Sequence, residues 1–179
     1  MKLPLVLLLL SCVPSLASAQ SEQHDLKTLL QDSSYLFNRY EEITSGMEVQ
    51  IDSWVIPKSL KTNMKLGLSL EAGTLSTEKP KLTALLSQTD VSASDLLDVY
   101  SEVEDISNHL SDQSTSFERF GNDEGKAIDL AKLGAKAGML AQNLEFVLAE
   151  KIIDLESQLS SCKVKGPVQK AKHKPLPPS

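Results

Sequence analysis

Apolar residues recur every three or four positions along most of this chain, the period of α-helices that bury one face. Between Glu22 and Val55 the series Leu26, Leu29/Leu30, Leu36/Phe37, Tyr40, Ile43, Met47, Ile51 and Trp54 predicts one long helix, with Ser33 as a small polar interruption. Pro57 is expected to end it, because proline lacks an N–H and clashes with the preceding turn.

Lys58–Gly73 fits two patterns. Met64, Leu66, Leu68 and Leu70 alternate with polar or small residues, as in a half-buried strand, while Leu60, Met64 and Leu68 fit a helix. A strand here needs Met47–Ile51 as its partner, making a small β-hairpin within residues 47–70. Helix is the favoured reading, because isolated hairpins are marginal. Gly73–Glu78 reads as a turn, followed by a short helix with Pro80 in its first turn. Ser92-Ala93-Ser94-Asp95 resembles a capping box and marks the next helix start.

That helix carries a heptad. Leu96, Val103, Leu110 and Phe117 form one seven-residue series; Val99, Ile106, Gln113 and Phe120 form the other. The eight residues predict a packing or assembly seam whose one polar member, Gln113, either sets register or faces a wet end. Gly121 and Asn122 stop the helix. Asp123–Cys162 then predicts a final long helix of eleven-residue period, in the series Leu130/Ala141/Ile152, Leu133/Leu144/Leu155 and Ala137/Leu148/Leu159. The small residues Gly134 and Gly138 allow a neighbouring helix to come close. The expected fold is all-α: an elongated three- or four-helix bundle with coiled-coil-like antiparallel long helices, spanning residues 20–162.

The N-terminus predicts export. Lys2, an apolar run through Val13 and Ala17-Ser18-Ala19 match a secretory signal peptide over residues 1–19, with Gln20 as the new N-terminus. The protein is therefore expected to be secreted or periplasmic, with no transmembrane span after cleavage, the apolar run being too short for one. Leu9-Leu10-Ser11-Cys12 also resembles a lipobox, so lipid anchoring through Cys12 is the alternative. Cleavage would leave Cys162 as the single cysteine, either a free thiol or half of an intermolecular disulfide.

Charge is segregated. Of 179 residues, 23% are charged and 4% aromatic, and the formal net charge is −6. Loss of Lys2 makes it −7. Residues 163–179 carry Lys163, Lys165, Lys170, Lys172 and Lys174 with no acid, leaving −12 on the body. Such a body argues against nucleic acid as a partner, whereas the proline-containing tail reads as disordered and suited to an anionic surface or to its own acidic body.

Signatures of catalysis are missing. His24, His109 and His173 form no HExxH, and no Glu is followed by His three residues on. There is no P-loop, G-x-G-x-x-G or G-x-S-x-G, so no cofactor is expected. Asp105 and His109 share a helix face and read as a solvated pair; Glu41, Glu42, Glu102, Glu104 and Glu124 read as surface acids. The expected function is non-enzymatic: an exported bundle acting through protein–protein contacts or self-association, as a structural or chaperone-like envelope component. The alternative is a carrier that binds lipid or another apolar ligand between its helices.

Overall fold

The computed structural model describes residues 25–164; the leader, Cys12, Lys165, Lys170, Lys172 and Lys174 lie outside them. Four helices run up, down, up and down: α1 (Leu26–Ile51), α2 (Lys58–Leu85), α3 (Ala93–Ser116) and α4 (Glu124–Val164), with a π-helical turn at Phe117–Gly121 closing α3. No strand occurs among the described residues, so the hairpin does not form and the segment after Pro57 is helix. α3 and α4 pack antiparallel along their lengths, with α1 and α2 alongside.

Helix α1 starts where Asp25 accepts a hydrogen bond from the Lys27 N–H. A strict 4-3 spacing of Leu30, Ser33, Phe37, Tyr40, Thr44, Met47, Ile51 and Trp54 faces the core, and all eight are buried. Ser33 and Thr44 are accommodated there because their hydroxyls donate to the carbonyls of Leu29 and Glu41. The helix ends at Ile51, ahead of Pro57. The N–H groups of Ser53 and Trp54 turn back onto the Gln50 and Ile51 carbonyls, which brings the indole into the core. Pro57 instead precedes the first residue of α2, and its carbonyl accepts from Leu60 and Lys61.

The expected turn at Gly73–Glu78 is absent. α2 passes through it and through Pro80 without a break. Pro80 lies on the exposed side, where the carbonyl it displaces can bond to water. Leu68, Leu75, Leu82 and Leu85 are buried on the other side, and that burial outweighs the local cost of proline.

At α3 the cap forms as expected: the Ser92 hydroxyl accepts from the Asp95 N–H at 3.0 Å and donates to its carboxylate at 2.6 Å. Seven of the eight heptad residues are buried within this one chain; Phe120 is 38% exposed. The π turn explains the exception. It advances fewer degrees per residue than an α-helix, so Phe120 swings outward and rests 6.3 Å from the Trp54 ring. Trp54 meets Phe117 edge-on at 5.1 Å. Asn122 then adopts the left-handed conformation that ends the element, and Asp123 accepts from the Lys126 N–H at the start of α4.

Candidate functional site

Two features stand out once the core is accounted for: a polar layer inside the bundle, and the surface of α4.

The polar layer joins three helices. The Tyr40 hydroxyl of α1 donates to the Glu71 carboxylate of α2. Gln113 of α3 donates to Tyr40 at 3.3 Å and to Glu71 at 3.4 Å. His109 lies with its Nδ1 3.7 Å from Glu71 and its ring stacked 6.3 Å from that of Tyr40. Its nearest carboxylate partner is thus across the helix interface, a correction to the solvated pair with Asp105. Gln113 sits within the bundle and not at a wet end; its Oε1 is buried without a partner. Burial, reinforced by the Glu71 carboxylate, pushes the Tyr40 hydroxyl far above its usual range, so it remains a proton donor.

Beside this layer lies an open depression of about 300 Å³, lined by Tyr40, Leu70, Glu71, Glu102, Asp105 and His109 among others. Glu102 is not a plain surface acid. Burial, with Asp105 and Glu78 nearby, raises its carboxyl above the ordinary range. The acids do not converge: among the described residues no group of three or more His, Cys, Asp or Glu side chains could hold a metal ion. What the layer offers is hydrogen bonding between three helices, from Tyr40 and Gln113 to Glu71.

Helix α4 is different, because it is apolar on two sides. Its inner face is locked to α3. Gly134 lets α3 approach until an added Cβ would stand 3.3 Å from that of Leu110, and Ser107 donates to the Gly134 carbonyl at 2.9 Å. Ser114 to Ala127 at 2.7 Å and Lys151 to Asp90 at 2.8 Å continue the same antiparallel register. The outer face carries Ile128, Ala131, Ala135, Met139, Gln142, Phe146, Ala149 and Ile153, all exposed. Met139 is 60% and Phe146 57% exposed. This uncharged stripe, flanked by Lys132 and Glu150, runs about 38 Å along the helix at 1.5 Å per residue. Tyr35 of α1 and Met139 border a groove of about 290 Å³ between α1 and α4, which also takes in Leu29, Leu36, Leu133 and Leu140. The stripe was readable as a second series, Ile128 and Met139 eleven apart, then Phe146 and Ile153 at sevens.

The eleven-residue series also outruns its support. α3 begins at Ala93, level with Leu148 in the shared register, and α4 continues to Val164. Ile152, Leu155 and Leu159, the last members of the three series, are consequently exposed. Cys162 and Lys163 lie within this final stretch of helix, which extends two residues into the expected tail. No helix among the described residues is long and apolar enough to cross a membrane. No family model, curated protein or solved structure matches the chain.

Proposed function

We propose that this is a non-enzymatic, exported helical-bundle protein that works through protein–protein contacts, as a structural or chaperone-like component of the cell envelope. The observation that carries the reading is the outer stripe of α4. Contiguous exposed apolar surface on a folded domain marks an interaction site more often than scattered single residues do, and here it lies on a helix whose opposite face is fixed by the core. The seam Leu96–Phe117 belongs to the support of that helix.

The test places a photo-cross-linking residue at Phe146 or Met139, and at Lys136 off the stripe, in cells that export the chain. A discrete protein adduct at both stripe positions, lost on Met139→Glu with Phe146 as the cross-linking position, is the expected result. Equal labelling on and off the stripe refutes the reading. The groove between α1 and α4 favours the carrier as the second reading. Flotation with phosphatidylcholine–phosphatidylglycerol vesicles, abolished by Phe146→Glu, would select it.

A further inference from the structure

We propose that two copies of this chain join through the projecting end of α4, antiparallel about a two-fold axis, so that each overhang covers the apolar face of the other. The pairing goes beyond the function above and uses a different face of the helix.

Residues 152–164 extend about 20 Å past the bundle. An unsupported helix of that length is marginal in water, yet this one carries Ile152, Leu155 and Leu159 on a single side, each exposed. With Leu148 before them and Cys162 after, the spacing is 4-3-4-3, the repeat of a two-helix seam.

The bundle determines the direction. Below Leu148 the same side of α4 is occupied by α3, so a parallel partner continuing along that side would collide with α3. An antiparallel partner ends where α3 begins and prolongs the α3–α4 packing already present. In this arrangement Ile152 faces the Cys162 position of the other copy, and Leu155 faces Leu159.

Charge also favours a second copy of this chain. The fifteen residues after Val164 carry four lysines and no acid. Antiparallel pairing turns the chain end at Val164 toward the partner's body, whose formal charge is −12 and so opposite in sign to those lysines. Opposition comes from Glu156, which meets its counterpart near the axis at an exposed position, and from the sequence level of Lys151, which coincides with that of Lys163 in the other copy.

The experiment is sedimentation velocity of residues 20–179 across a dilution series, with reductant. A reversible dimer is expected. Leu155→Lys with Leu159→Lys should raise its dissociation midpoint at least about tenfold, while the far-ultraviolet circular-dichroism melt of the bundle stays in place. Direction is read from cross-linking with diamide, which accepts the two hydrogens released as two thiols join. The two Cys162 positions lie about 15 Å apart along the axis, beyond disulfide reach, so the unaltered dimer should not cross-link. Glu156→Cys in a Cys162→Ser background should.

A monomer at every concentration overturns the proposal, as does rapid Cys162 cross-linking, which requires a parallel pair. So does a dimer that survives the lysine variants and is lost with Phe146→Glu, since the stripe would then be the self-association surface. A dimer of the expected kind with no stripe adducts in cells leaves this pairing standing and removes the proposed function.

Discussion

At the scale of single residues, the polar layer shows both what a seam position reveals and what it conceals. Gln113 was visible from spacing alone as the polar member of an apolar series. Its partners were not, because Tyr40 and Glu71 are 73 and 42 residues away and meet it only through the fold. Its two hydrogen bonds are long and its Oε1 is unpartnered, so the amide's desolvation is only partly offset. Gln113→Leu is therefore expected to stabilise the monomeric bundle by about 1 kcal/mol in urea unfolding, with Tyr40 still donating to Glu71. A loss of that size instead would show that the amide is worth more than an apolar seam.

Glu102 supplies a pH-dependent counterpart. Its carboxyl titrates above the ordinary range when folded, through burial and then Asp105 and Glu78. The folded state thus holds this proton more tightly than the unfolded chain does. Its contribution to stability is full below the ordinary carboxylate value and is lost as pH rises through the folded value. At neutral pH the carboxylate is a half-buried charge beside two others. Glu102→Gln should raise the melting temperature at pH 7 by about 2 °C, and calorimetry at pH 3–4 should find the advantage gone.

At the scale of elements, α2 shows why glycine and proline mislead when read locally. Its core face follows Met64, Leu68, Glu71, Leu75, Glu78, Leu82 and Leu85 in unbroken 4-3 spacing. Two of those seven positions are glutamates, so the apolar pattern looked interrupted just where Gly73 and Pro80 suggested a turn. Glu71 is tolerated because Tyr40 and Gln113 donate to it, a fact of tertiary structure. Helices α1, α3 and α4 had no such substitution for acids in their seams and were legible to within a few residues. The π turn was not legible, since five residues that widen a helix carry no distinctive spacing. An added Cβ at Gly73 meets nothing within 4 Å, so Gly73→Ala should stabilise the protein by about 0.5–1 kcal/mol in urea unfolding, the helix-interior difference between the two residues. If residues 73–78 formed a turn, that gain would not appear.

At the scale of the whole molecule, the unequal lengths of α3 and α4 matter most. The eleven-residue period correctly described a continuous apolar side of α4, but a period cannot say where its partner stops. α3 stops opposite Leu148, and from that point the same pattern serves a surface instead of a core. Local stability should follow this division, because amide protection tracks how much buried packing an opening must disrupt. Amides between Ala127 and Leu148 should exchange only with global unfolding, at rates independent of protein concentration. Amides from Ile152 to Val164 should exchange fast in dilute solution and slow as concentration rises, to an extent set by mass action of the dimer. Hydrogen-exchange mass spectrometry on peptides from either side of Lys151 makes the comparison within one sample. Concentration-independent protection of the overhang would mean that its own chain covers it, and the lysine-bearing C-terminal segment would be the first place to look.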